Sequence, residues 1–207
     1  MTDFEKEAAT WDEQPGRAEV ASQIGAAILR EVKLDRTMDV LELGCGTGLI
    51  TLQLQPLVRS ITGVDSSEGM LGVLKAKIAA ASLGNVHLHK IDAIEDEPLQ
   101  GSYHMVVSSM TIHHIPEILP LLRQFFRILL PGASLVIADL DPDKGLFHRD
   151  GQGVHHHGFD RGELRGLMEA AGFADVRDSL AAEVTRPSAD GVVRTFTIFL
   201  MTAVKPK

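Results

Sequence analysis

The stretch Val40-Leu41-Glu42-Leu43-Gly44-Cys45-Gly46-Thr47-Gly48 joins an apolar run to three alternating glycines. Met38 to Leu43 reads as a short buried strand, and Gly44 ends it abruptly, as a strand feeding a tight turn does. A helix is expected from about Gly48 to Leu57. Between the two, side-chain-free positions let the main chain approach a ligand closely, and the free N–H groups at a helix start favour a negative ligand group. A dinucleotide fingerprint wants a further glycine three places after Gly46, where Leu49 stands. The loop is therefore spaced for a nucleoside-containing ligand other than NAD.

Outward from this loop, strands and helices alternate. Upstream, Ala21, Ile24, Ile28 and Val32 recur at helical spacing, so Arg17 to Val32 reads as an amphipathic helix. Downstream, Ser60 to Val64 reads as a second strand, and Ser66, Ser67 and Glu68 offer capping chemistry for a helix reaching about Ala81. Val86 to Ile91, Tyr103 to Ser108 and Ala133 to Ala138 read as strands, with an amphipathic helix from Pro116 to Leu130 before the last of them. Such alternation implies a doubly wound α/β sheet, mostly parallel, with helices on both faces. After a helix from Gly158 to Gly172, Phe173 to Val184 and Val192 to Val204 flank a turn signal at Pro187 and Asp190-Gly191. That pair reads as a hairpin and predicts an antiparallel edge strand.

The chain of 207 residues, 44% of them apolar, suits one domain, 1–207, with about 1–35 as an N-terminal helical cap. Its 28 acidic and 20 basic residues give a net charge of −8, which repels a phosphate backbone and argues against nucleic acid as partner. Cys45 is the single cysteine, so neither an intramolecular disulfide nor a cysteine-based zinc cluster can form, and a reducing, cytoplasmic location is expected. Met1 to Thr10 lacks the basic start and apolar run of a signal peptide, and no apolar run approaches the roughly 20 residues needed to cross a bilayer. No membrane partner is expected; the oligomeric state is left open.

The second strand ends at Asp65, where a carboxylate can accept hydrogen bonds from both hydroxyls of a ribose. The third is followed by Asp92-Ala93, an acceptor position suited to the exocyclic amine of adenine. Taken with the glycine loop, these sites lie just past the carboxyl ends of successive strands, in the crevice where open parallel sheets bind ligands.

At this level the sequence resembles the class I methyltransferases that use S-adenosylmethionine, over about Thr10 to the C-terminus. Val40 to Gly48 is similar to the family's first motif, Gly63-Val64-Asp65-Ser66-Ser67-Glu68-Gly69-Met70-Leu71 to its second, and Ile91-Asp92-Ala93 to its third. Met105-Val106-Val107-Ser108-Ser109 resembles the fourth, Leu129-Leu130-Pro131-Gly132-Ala133 the helix end before the fifth strand, and Ala8-Ala9-Thr10-Trp11-Asp12 a segment preceding the core. The resemblance implies a Rossmann-like, seven-stranded sheet with an antiparallel C-terminal strand. It also implies that Gly44, Cys45 and Gly46 line the methionine part of the cofactor, with Asp65 on the ribose. Ser66 and Met70 would flank the adenine, Asp92 and Ala93 its edge, and Ser108 the methionyl amine. S-adenosylhomocysteine would be the product.

The sulfonium already activates the methyl group, so such an enzyme mainly aligns an acceptor and excludes water. A hydroxyl or acidic-carbon acceptor would profit from a general base, for which histidine has a suitable pKa; a neutral amine or thiolate would need none. His113 and His114 follow the fourth strand and are candidates for substrate contact or for structural packing. His155, His156 and His157 allow three readings: a solvated loop, a substrate contact through His155, or a metal clamp of His155 and His157 with His148 or Asp150. No metal is assigned. The segment 140–158 is long for a strand-to-helix connection and is a candidate lid, with Trp11 and the N-terminal helix closing the other side or packing as a terminal helix does.

Ser108-Ser109-Met110-Thr111 does not resemble the proline and aromatic motif of amino-group methyltransferases acting on nucleobases or glutamine, and one cysteine disfavours arsenic chemistry. A small-molecule acceptor is expected. The alternative is a non-catalytic module that binds the cofactor for regulation.

Overall fold

The computed structural model describes residues 4–14, 16–91, 98–148 and 153–207. A single helical turn, α1 (Phe4–Glu7), leads into a 3-10 segment, Ala8–Glu13, and then α2 (Arg17–Glu31). The alternating body follows as β1 (Asp39–Leu43), α3 (Thr51–Leu54), β2 (Ser60–Asp65), α4 (Glu68–Ala80), β3 (Val86–Lys90) and β4 (Tyr103–Ser109). It continues through a short 3-10 turn, Ile112–His114, to α5 (Ile118–Ile128), β5 (Leu129–Leu140), α6 (Arg161–Ala170), β6 (Ala174–Pro187) and β7 (Val193–Val204).

All seven strands form one sheet in the order β3-β2-β1-β4-β5-β7-β6. β1 to β5 are parallel, and β7 is antiparallel to both of its neighbours. The order reverses between β1 and β4, which opens a crevice beyond their carboxyl ends.

β1 reads as a continuous run because both of its faces are covered. Leu41 and Leu43 join Val106, Leu135 and Ile137 on one face, packed with Leu122 and Phe125 of α5 and Met168 of α6. Val40 joins Met105, Val107 and Val136 on the other, under Ile24 and Ile28 of α2. Helix ends follow local chemistry: the Asp160 carboxylate accepts the N–H groups of Gly162 and Glu163 at 2.8 and 3.0 Å, and the Ser67 hydroxyl accepts that of Met70 at 3.1 Å.

Three expectations need revision. The helix expected over Gly48 to Leu57 is a single α-turn followed by a 3-10 turn, Gln55–Leu57, with Pro56 at its start. β5 begins at Leu129 rather than Ala133, because Leu129 already pairs with Tyr103 and the ladder shifts register around Pro131-Gly132. A bulge tolerates a proline that cannot donate to the ladder. The antiparallel strand of the hairpin is not at the edge. β7 inserts between β5 and β6, so the edge strand β6 runs in the same direction as β5.

Phe125 is fully buried at the centre of the α5 face. Phe125→Ala is expected to lower unfolding stability by about 3–5 kcal/mol, read from the urea midpoint, through lost transfer energy and the cavity left behind. A loss below about 1 kcal/mol would place this helix outside the core.

Candidate functional site

The loop after β1 is bound to the end of β2. The N–H groups of Gly44 and Cys45 both donate to the Val64 carbonyl, at 2.8 and 3.1 Å. The Asp65 carboxylate accepts the Gly46 N–H on Oδ2 at 2.8 Å and the Ser67 N–H on Oδ1 at 2.9 Å. Burial pushes the Asp65 carboxyl above its ordinary value, and these N–H donors oppose the shift. Gly44 and Gly46 have φ of 73° and 52°, in the left-handed region. They differ in surroundings: a Cβ on Gly44 would stand 2.0 Å from the Thr111 hydroxyl, whereas one on Gly46 would meet nothing within 4 Å. Gly44 is needed for packing, and Gly46 faces open space.

The other described candidate positions lie in this loop, at the start of α4 and in β4. The Cys45 side chain turns towards β2 and rests on Gly63, where an added Cβ would lie 2.9 Å from its sulfur. That side chain is buried, which leaves the main chain to face a ligand, and burial also pushes its thiol well up. Ser66 is exposed and Met70 is buried at the start of α4. The buried Ser108 hydroxyl donates to the Leu43 carbonyl at 3.1 Å. Asp92 and Ala93 lie outside the described residues.

Glu42, for which the sequence reading assigned no role, is 1% exposed beneath the loop. Its carboxyl accepts the Thr51 hydroxyl at 2.5 Å. Burial pushes it up to about 8, with Asp65 adding to the shift and Thr51 opposing it. The available signal was a carboxylate between Leu41 and Leu43, among the apolar residues just before the turn.

The N-terminal segment crosses the same rim. Asp12 accepts the Thr47 hydroxyl at 2.5 Å and pairs with Lys77, whose ammonium also donates to the Thr47 carbonyl at 2.7 Å. Glu5 accepts the Gly69 N–H at 2.7 Å, at the start of α4. Trp11 packs against both neighbouring helices: the Arg17 guanidinium at the start of α2 lies 3.1 Å from its ring centre, and Phe4 of α1 packs at 5.7 Å.

The histidines divide into two groups. His113 is 1% exposed, and its Nδ1 lies 2.7 Å from Oδ1 of the fully buried Asp139 at the end of β5. Asp139 also accepts the main-chain N–H groups of Leu140 at 2.7 Å and His113 at 3.3 Å. His114 and His148 pack on His113 with ring centres 4.1 and 4.9 Å away. Burial brings both down to about 4. The Nε2 atoms of His113 and His148 are buried without a partner among the described residues, a state that costs about 1–3 kcal/mol per group. Phe4 stands edge-on to His114 at 5.4 Å.

In the second group, His155 and His157 are exposed, and His156 turns inward to the Ile115 carbonyl at 2.9 Å. The main-chain N–H groups of His155 and His156 both donate to the His113 carbonyl. The segment 140–158 is thus docked on the His113 turn where it is described. Asp150 lies outside the described residues, and no group of three His, Cys, Asp or Glu among the described residues could hold a metal ion.

A cavity of about 620 Å³ opens at the opposite rim, lined by residues such as Glu31, His104, Gly132 and Arg177. It lies where the parallel strands enter the sheet, away from the carboxyl ends that carry the candidate chemistry.

A family model described as a methyltransferase domain matches residues 17–178. The chain is 33% identical over 135 residues to an uncharacterized methyltransferase of Schizosaccharomyces pombe, covering 58% of this chain and 48% of that protein. It is 34% identical over 112 residues to the demethylmenaquinone methyltransferase of Staphylococcus aureus, covering 53% and 46%. The chain therefore spans about half the length of these curated relatives. Against the O-methyltransferase cnsE of Penicillium expansum it is 28% identical over 191 residues, covering 85% and 68%. Among solved structures, the YcgJ protein of Bacillus subtilis matches with a TM-score of 0.74 at 15% identity, covering 90% of this chain and 99% of that one. The phosphoethanolamine N-methyltransferase 2 of Haemonchus contortus, in complex with S-adenosyl-L-methionine, matches with a TM-score of 0.73 at 17% identity, covering 100% and 61%. At these identities the structural likeness is one of fold.

Glu42 keeps its proton in the folded chain up to about pH 8, but in the unfolded chain it ionises near 4.3. Between those values the folded state holds a proton that the unfolded state has lost, so this group's contribution to stability falls as pH rises and levels off above the window. Relative to Glu42→Gln, the parent is expected to lose roughly 3–5 kcal/mol of unfolding free energy between pH 4 and 8.5 in urea titrations. A pH-independent difference would mean that Glu42 ionises as an ordinary carboxylate.

Proposed function

The chain belongs to the methyltransferase-domain family, and we propose that it transfers the methyl group of S-adenosylmethionine to a small-molecule acceptor by direct displacement. The observation that carries this reading is the open position at Gly46 beside the Asp65 carboxylate, at the point where the strand order reverses. Open space over Gly46, next to a half-buried acceptor held by main-chain N–H groups, fits an adenosine derivative with a backbone-contacting tail.

Each carboxylate oxygen of Asp65 spends one lone pair on a loop N–H and keeps another, so ribose hydroxyls can bind without releasing the loop. The main chain of Gly44, Cys45 and Gly46 lines the methionine part. Ser66 and Met70 flank the adenine, and Ser108 lies beside the methionyl amine. The bound cofactor supplies a methyl group already activated by its sulfonium. Residues of this chain hold the acceptor in line and exclude water, which can supply about 7–11 kcal/mol in favourable intramolecular cases. The N-terminal segment with Trp11, the His113 turn and His155 on the docked segment border the acceptor side.

The substrate class follows from the relatives named for small-molecule methylation, such as the demethylmenaquinone enzyme, and from the net charge of −8, which disfavours nucleic acid. Nothing among the matched proteins favours a non-catalytic binding module. No described helix is long and apolar enough to cross a membrane. A single buried, unpaired Cys45 is consistent with action in the reducing cytoplasm.

Titration calorimetry tests the site. S-adenosylhomocysteine is expected to bind the parent, and NAD is not. Asp65→Ala should weaken binding at least about tenfold, through loss of a charged acceptor and of the loop's brace. Gly46→Val should abolish binding while leaving the urea midpoint measurable. An unchanged dissociation constant in either variant overturns the placement.

A further inference from the structure

We propose that His113, oriented by Asp139, is the general base of the reaction, and that the acceptor is an aromatic hydroxyl compound that must give up its proton as it is methylated. The inference rests on the proposed methyl transfer and concerns the acceptor side of the same crevice.

Three observations converge. The first is the buried pair itself. Asp139 accepts from His113 Nδ1 at 2.7 Å, so the proton sits on Nδ1 and the lone pair on Nε2. The main-chain N–H groups of Leu140 and His113 also end on Asp139 and hold its carboxyl in place. Such a carboxylate fixes the tautomer and ring orientation and stabilises the imidazolium formed when Nε2 takes a proton. The second is that Nε2 is buried and has no partner within the described protein. A histidine kept for packing alone would have its second nitrogen paired or replaced by an apolar group.

The third is position. Thr111, two residues before His113, packs on Gly44, so the pair stands at the carboxyl ends of β4 and β5 beside the glycine loop. Aromatic rings pack around it: Phe4 is edge-on to His114 at 5.4 Å and Phe147 is edge-on to His148 at 5.0 Å.

The chemistry selects the acceptor class. A neutral amine or a thiolate brings a free electron pair and gains nothing from a base. A phenol, with a pKa near 10 like tyrosine, lies within reach of an imidazole base, whereas an aliphatic alcohol is much less acidic. In the step, the acceptor O–H bond breaks and its proton moves to His113 Nε2. The oxygen's electron pair forms the new carbon–oxygen bond to the methyl group, and the electron pair of the broken carbon–sulfur bond stays on sulfur. The imidazolium then returns its proton to solvent.

The groups facing His113 are Asp139 on β5, His114 on its own turn and His148 from the segment after β5. Asp143 and Arg186 act on His148, and His155 acts on His114. Burial keeps His114 and His148 neutral at physiological pH, so neither opposes an imidazolium at His113 with a charge of its own.

The test uses the full chain with S-adenosylmethionine and three probes on one ring system: naphthol, naphthylamine and naphthalenethiol. Naphthol should be methylated. His113→Gln should lower its turnover about 100-fold or more, with S-adenosylhomocysteine affinity changed less than about twofold. For pentafluorophenol, which arrives ionised, the loss should largely vanish. Asp139→Asn should move the rising limb of the naphthol pH profile to lower pH, because the imidazolium loses its counter-charge. Independently of turnover, naphthol added to the S-adenosylhomocysteine complex should shift the His113 Nε2 nitrogen resonance. Equal losses for naphthol and pentafluorophenol would make His113 structural and overturn the base. Turnover of naphthylamine or naphthalenethiol without naphthol, or of none of the three while S-adenosylhomocysteine binds, overturns the acceptor class. Failure of S-adenosylhomocysteine to bind the parent overturns the proposed methyl transfer instead.

Discussion

The carbonyl of Val64 holds the N–H groups of Gly44 and Cys45, and the carboxylate of the next residue holds that of Gly46. These bonds make the loop after β1 a fixed extension of β2 rather than a free turn, and the rest of the rim is referenced to it. Gly44, pinned in place, receives Thr111 and so sets where the turn carrying His113 can lie. Thr47, further along the loop, receives Asp12 and Lys77 and so sets where the N-terminal segment crosses. Positions that are far apart in sequence meet because each is measured from one short stretch of backbone.

Two carboxylates, Glu42 on β1 and Asp139 on β5, are buried in the sheet, and they are hydrogen-bonded differently. Glu42 has one hydroxyl donor and little else, so burial wins and it holds its proton up to about pH 8. Asp139 gathers the Leu140 and His113 main-chain N–H groups and the His113 ring. A buried polar group costs free energy unless it is hydrogen-bonded. The two residues thus differ in how many donors they gather.

The alternating body was legible because its signals are local. Apolar runs of strand length, a glycine-rich turn and capping residues each act within a few residues, and β1, β2, β4 and α2 fall where those patterns put them. The shortening to α3 follows from Pro56, whose effect a periodicity count underweights. The start of β5 and the place of β7 depend on pairing partners distant in sequence, Leu129 with Tyr103 and Leu200 with Ala138. No local pattern encodes such pairings. At the site, Asp65 and the glycines could be named because their chemistry is carried by spacing. Cys45 could be named, but not the turning of its side chain towards Gly63. His113 was a candidate, yet its partner Asp139 is 26 positions away and reads as one polar residue in an apolar strand. Glu42 was overlooked for the same reason.

The place of β7 bears on how the molecule can be assembled during synthesis. β6 leaves the ribosome first but has no seat until β7 lies beside β5, because β7 separates them. Until then β5, with nearly all of its later residues buried in the finished protein, exposes an unpaired edge, the kind of surface that recruits other nascent chains. The long mutual ladder of β6 and β7 offers a way out: the two can zip together locally and then dock as a unit. The vulnerable interval in this protein's biogenesis is therefore the time needed to translate one hairpin.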